Sequence, residues 1–283
     1  MINAFSVDVE DYFQVSNFNS FINPDSWKNF SLRVHKNMEN ILKLLDQFSV
    51  KGTFFILGWL AQKLPQMIVD IHREGHEIAC HGYQHELVYD LGPEGFRQDI
   101  KKAKAILQDI SGQEVIGYRA PSYSITNDSL WALAILQEEG FLYDSSIFPV
   151  YHPRYGIPGS PRHPYVYSIN QAKLYEFPPA TLKLGKFHLP VAGGGYFRLF
   201  PYDFTRWAMK KINHEGYPFV FYMHPWEIDP KQPRFENAKM MHRFRHYLNL
   251  SKTKGRLQKL LQDFHFGTMK EMFTANSQSV LCK

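Results

Sequence analysis

Cysteine is almost missing from this 283-residue chain: only Cys80 and Cys282 occur. Two thiols build neither a disulfide framework nor a four-cysteine metal site, and Cys80, inside a predicted strand, reads as a small buried apolar residue. No apolar run approaches the roughly 20 residues that cross a bilayer. The opening MINAFSVDVEDY has neither the basic start nor the apolar stretch of a secretory leader, which makes a cytoplasmic chain the expectation. Also lacking is a glycine fingerprint after the first strand, which argues against a dinucleotide-binding fold. The Gly193–Gly195 run has no GKS or GKT ending and is not a phosphate loop. Neither sign of charge dominates: 32 Lys and Arg against 27 Asp and Glu leave +5, and no recognition motif accompanies that excess to support a nucleic-acid partner. No internal repeat or low-complexity segment is present.

What the chain does have is aromatic residues, 16% of the total with 23 Phe and 16 Tyr, enough for a dense core and for rings that stack on sugars. AFSVDV alternates apolar residues and predicts a strand over 2–9 that ends in acids. Apolar residues at helical spacing predict a helix over 34–48, and the run TFFIL after Gly52 predicts a buried strand. The pattern repeats with helices over 58–73, 95–110 and 127–139 and strands near 77–80, 115–118 and 141–143. Strand character returns at 174–177 and 218–223, and 236–264 reads as helical and basic. Such alternation implies right-handed βαβ units and a parallel sheet. The expected fold is α/β, a distorted and incomplete (β/α) barrel over residues 1–230, with residues 231–283 a helical extension packed on it. The Pro-, Gly-, Tyr- and His-rich stretch 149–164 predicts a long irregular loop.

The strongest local signal is HGYQH, which places His81 and His85 four residues apart after a strand, where one helical turn would aim both imidazoles at a common point. Asp8 and Glu10 share a strand face and supply carboxylates, one to ligate and one to act as base. In a parallel barrel the strand ends open on one side, so these acids, both histidines, Arg119 and His224 would meet there. Two histidines and a carboxylate with open positions suit zinc or another divalent transition metal.

The segments SVDVED, HGYQHE, YRAPSY, FLYDSS and FYMHPWE occur in the order and approximate spacing of the polysaccharide deacetylase family, carbohydrate esterase family four, also called the NodB homology domain. The chain resembles that family over 2–150 and 218–227. GGGYFRLFPY and HPWEIDP are similar to a branch associated with bacterial exopolysaccharide gene clusters that carries an extra C-terminal region. The resemblance implies removal of acetyl groups from an N-acetylated glycan, with Asp8 as base and Glu10, His81 and His85 holding a divalent metal, zinc first and cobalt or nickel as alternatives. The usual motif has adjacent aspartates, so Asp11 competes with Glu10 as the acidic ligand. Arg119 would pair with and orient Asp8, or else form a surface salt bridge. His224 would protonate the leaving amine, with Asp144 raising its pKa, although a short polar turn explains Asp144 almost as well. A backbone N–H near Tyr123 would stabilise the oxyanion, and Pro121, Tyr123, Tyr196 and Trp226 would line the substrate site, with Trp226 packing under the sheet as the other choice. Arg198 could meet an anionic group, and the Gly193–Gly195 run could contact substrate or permit a bend. The basic C-terminal helix is a solvated face or a peripheral contact with anionic lipid at the inner membrane. Competing functions are a small-amide or ureide amidohydrolase and a glycan-binding barrel without turnover.

Overall fold

The computed structural model of the chain describes residues 1–169, 172–185 and 187–281; Cys282 lies outside the described residues. The first strand, β1 (Asn3–Val9), is buried at all seven positions, as a central strand covered on both faces must be. Then follow α1 (Val34–Gln47), β2 (Thr53–Ile56), α2 (Gly58–Lys63), α3 (Pro65–Arg73), β3 (Glu77–Cys80), α4 (Val88–Ser111), β4 (Gly117–Tyr118), α5 (Trp131–Glu138) and β5 (Tyr143–Asp144). The second half holds β6 (Tyr165–Ile169), β7 (Ala172–Glu176), the separate hairpin β8 (Thr181–Leu184) and β9 (Phe187–Pro190), α6 (Gly194–Leu199), α7 (Tyr202–His214) and β10 (Val220–Met223). It ends with α8 (Met240–Tyr247), α9 (Leu250–Asp263), β11 (Phe266–Gly267) and α10 (Met269–Leu281).

The main sheet runs β10-β1-β2-β3-β4-β5-β7-β6, with every neighbouring pair parallel except β6 on β7. It curls into an incomplete barrel. Across the seam between β7 and β10 only two isolated parallel bridges form, Pro179 with Val220 and Gly193 with Tyr222. Gly193 has φ 146°, and a Cβ there would lie 1.8 Å from the Tyr222 carbonyl oxygen, so the first glycine of the run serves a close backbone approach at the seam.

Several helices are shorter or more broken than the periodicity suggests. The helix expected over 58–73 is two, because the Pro65 ring is compatible only with a first-turn position and α3 restarts there. The helix expected from 95 begins at Val88 and bends at Gly92 (φ 65°, ψ 174°), just before Pro93. The stretch 236–264 breaks at Asn249, which takes a left-handed φ of 53°. The C-terminal region is more than helices laid on the barrel: β11 pairs with Asn3 and Ala4, before β2 begins its own pairing at Ser6. Met269 and Met272 then pack with Ala4, Phe55 and Ala79 in an apolar cluster.

One core histidine links this packing to pH. His76 is 3% exposed, and its Nδ1 accepts the Gly52 N–H at 3.1 Å, which requires a neutral ring. Burial, followed by the charge of Lys51, pushes its pKa down from 6.5 to about 4. A depressed folded pKa contributes stability above the unfolded value of 6.5 that is lost as pH falls through about 4. Urea midpoints measured from pH 7 to 4 are expected to show a loss of about 2 kcal/mol that His76→Gln removes; equal pH dependence in both proteins would refute the assignment.

Candidate active site

Glu10, His81 and His85 come together at the strand ends, their ligand-type atoms all within 4.8 Å of one another and all three residues buried. The Glu10 Oε1 lies 3.2 Å from His81 Nε2 and 2.9 Å from His85 Nε2. The histidines do not sit on a helical turn as expected. HGYQH is a loop in which Gly82 (φ 75°) and His85 (φ 57°) both take left-handed conformations. Asp99 fixes the loop by accepting the Tyr83 N–H, and a Cβ at Gly82 would fall 2.9 Å from its Oδ2.

These residues fit a divalent cation on the chemistry of their donors. His81 Nδ1 lies 2.7 Å from the Arg119 carbonyl, which can only accept, so Nδ1 carries the proton and Nε2 is left as a lone pair facing Glu10. Lone pairs converging on a carboxylate oxygen repel unless positive charge lies among them. Burial opposes ionisation of Glu10, but the imidazoles around it, His85 first and then His224 and His81, outweigh it and hold the carboxyl well below its ordinary range. Asp11 is committed elsewhere: Oδ1 accepts the Tyr12 N–H, and Oδ2 accepts the Arg33 and Val34 N–H groups at the start of α1. The acidic member of the cluster is therefore Glu10.

Asp8 lies beside this cluster on β1. Its Oδ1 accepts from Arg119 Nη1 at 2.5 Å, and the guanidinium, fully buried, also donates to the Ser6 hydroxyl, the Ser145 hydroxyl and the Ser145 carbonyl. A surface salt bridge is thus excluded for Arg119. The other Asp8 oxygen, Oδ2, is 4.0 Å from His224 Nε2.

Asp144 does not reach His224. It pairs in register with Glu176 on β7 and accepts from the Ser146 hydroxyl, and burial, followed by the charge of Asp144 and a hydrogen bond between the two carboxyls, raises the Glu176 pKa well above normal. The acid that does serve His224 is Glu227, three residues on: Oε1 lies 3.5 Å from Nδ1, within ion-pair range though outside good hydrogen-bond geometry, and Oε2 accepts the His224 N–H. Burial lowers the His224 pKa, yet Glu10, Glu227 and Asp8 together push it up to about 9. Arg198, expected to meet an anion, is buried against Glu227 at 3.1 Å and donates to the His246 and Leu248 carbonyls. It anchors α8 to the site.

A cavity of about 370 Å³ opens on these groups. Tyr123, Tyr196 and Trp226 wall it, and Trp226 stacks between His224 and His246. Pro121 is buried, faces Gly82 and is not part of the wall. An N–H near Tyr123 is expected to face an oxyanion; that of Tyr123 itself donates to the Ala120 carbonyl at 3.0 Å in a turn. Its phenol oxygen is buried and has no hydrogen-bond partner among the described residues. Sequence reasoning missed the pairing of Glu227 with His224 and the wall supplied by α8; the i, i+3 spacing within HPWE was the signal for the first.

Residues 25–139 match the family model described as polysaccharide deacetylase, and residues 145–274 match one described as a domain of unknown function, DUF3473. The chain is 35% identical over 109 residues to the peptidoglycan deacetylase-like protein FGM2 of Gibberella zeae, covering 38% of this chain and 31% of that protein. It is 37% identical over 93 residues to a peptidoglycan-N-acetylglucosamine deacetylase of Bacillus cereus, covering 32% and 34%. The match spans about a third of each curated relative. A solved Mycobacterium smegmatis structure assigned to the polysaccharide deacetylases shares the fold, with a TM-score of 0.63 at 20% identity over 98% of this chain and 92% of that one.

Proposed function

We propose, from the match of residues 25–139 to the polysaccharide deacetylase family model, that the protein is a metal-dependent hydrolase that removes N-acetyl groups from an N-acetylated polysaccharide or lipid-linked oligosaccharide. The observation that carries this reading is the meeting of Glu10, His81 and His85 with Asp8, Arg119 and His224 at one cavity.

A divalent cation held by Glu10, His81 and His85 supplies Lewis acidity when bound, and two imidazoles with one carboxylate suit zinc, cobalt or nickel. Asp8, oriented through Oδ1 by Arg119, takes a proton from the attacking water on Oδ2. His224, with Glu227 beside its Nδ1 and Asp8 facing its Nε2, delivers a proton to the amine nitrogen as the C–N bond breaks. Water and acetamide thus become acetate and a free amine. The Tyr123 hydroxyl is placed to donate to the acyl oxygen as it gains charge. A glycan is favoured over a small ureide because exposed residues, among them Met241 and Phe244, form part of the cavity wall and leave it open to a long substrate.

The test is acetate release from N-acetylglucosamine oligomers after chelation and after zinc, cobalt or nickel is restored. Release that returns with metal and is abolished in His81→Ala supports the proposal. Tight metal binding without release from any N-acetylated glycan would overturn it.

A further inference from the structure

At the mouth of the cavity two arginines remain without a counter-ion. The acids inside are matched, Asp8 with Arg119 and Glu227 with Arg198, and Glu10 lies among its histidines. Arg154, in the long loop before β6, and Arg245, on α8, both line the cavity and are exposed, and among the described residues neither forms an ion pair. Asn17 links the Arg154 loop to α8, the helix that carries Arg245. Asn17 accepts from Arg154 Nη2 on its side-chain oxygen at 2.8 Å, and its backbone carbonyl accepts from His242 of α8 at 2.9 Å. His152, stacked on Tyr155 with ring centroids 3.8 Å apart, lines the same cavity as both arginines. Burial, then the charges of Arg154 and Arg245, push the His152 pKa down to about 4.

Holding two like charges together beside a substrate cavity costs energy unless an anion joins them, and the planar fork of a guanidinium matches carboxylate and phosphate oxygens. We propose that Arg154 and Arg245 form a subsite for an anionic group, a carboxylate or a phosphate, carried by the acetylated sugar or by the unit next to it. This inference rests on the deacetylase reading for its substrate and deepens it: the preferred glycan is acidic. Both arginines lie in the segment 145–274, which also carries His224, whereas residues 25–139 carry His81, His85 and Arg119.

The test measures dissociation constants by ligand-observed NMR for the full chain and the Arg154→Gln/Arg245→Gln double variant. The probes are N-acetylmuramic acid for a carboxylate, N-acetylglucosamine 1-phosphate for a phosphate, and the neutral methyl glycoside of N-acetylglucosamine. At low salt one or both charged sugars are expected to bind roughly tenfold or more tightly than the neutral one, and the advantage should vanish in the double variant and shrink with added salt. Which charged sugar gains identifies the source of the anion. Equal affinity for all three sugars, no binding of either charged sugar, or an advantage kept by the double variant overturns the subsite. Acetate release from neutral oligomers without charge preference would leave the deacetylase reading standing and remove this one; charge preference without release from any glycan would do the reverse.

Discussion

Asp8→Asn is expected to lower kcat for acetate release by about 10³, within the 10²–10⁴ typical of a lost general base, with a smaller change in KM. The substitution keeps the shape of the side chain, and its amide oxygen can still accept from Arg119 Nη1, so the position is occupied while the proton acceptor is gone. Glu10, His81 and His85 are untouched, and a calorimetric titration with zinc should give an affinity near that of the parent. That separates loss of the base from loss of the metal. The substitution also takes away the carboxylate facing a fully buried guanidinium, so the midpoint of unfolding falls and rates must be compared per folded molecule. A variant retaining more than about a tenth of the parental kcat would show that Asp8 is not the base.

The parts of this fold legible in the sequence are those encoded by local pattern. β1 and α1 follow from apolar spacing because each buries one continuous surface whatever its neighbours do. The parallel barrel follows from strand-helix alternation, and it brings Asp8, Glu10, His81, His85, Arg119 and His224 to one face from strands far apart in the chain. What resisted reading depends on contacts that spacing does not encode. His85 takes a positive φ that its residue type does not announce, so a loop was mistaken for a helical turn. Asp144 stands at the end of a barrel strand, where a catalytic acid is expected, but its register partner is Glu176 and its carboxyl is committed to that neighbour. Glu227 as the partner of His224 is not legible from spacing alone, because its role appears once Arg198 arrives from α6 to neutralise it.

Arg119→Met is expected to destabilise the fold by about 3–5 kcal/mol, the range for removing one partner of a buried ion pair. The loss extends beyond the charge. Arg119 donates to Ser6, to both the hydroxyl and carbonyl of Ser145, and to Asp8, and its guanidinium lies 4.1 Å from the Phe55 ring centroid. Methionine fills most of the volume and satisfies none of these acceptors, and Asp8 is left ionised in a dry interior or forced to take up a proton. Protonation removes the base, and an Asp8 left ionised loses the contact that orients it, so activity and stability fall together. The Arg119→Met/Asp8→Asn double variant separates the two contributions. With no uncompensated charge left inside, it should be less unstable than the sum of the single changes by roughly 1–3 kcal/mol, the coupling expected of residues in direct contact. Its activity should stay as low as that of Asp8→Asn alone, because recovery of folding does not restore a proton acceptor. Additive losses in urea unfolding would mean that the pair is not coupled and that Arg119 acts through its serine and aromatic contacts, leaving the orientation of Asp8 to the β1 backbone.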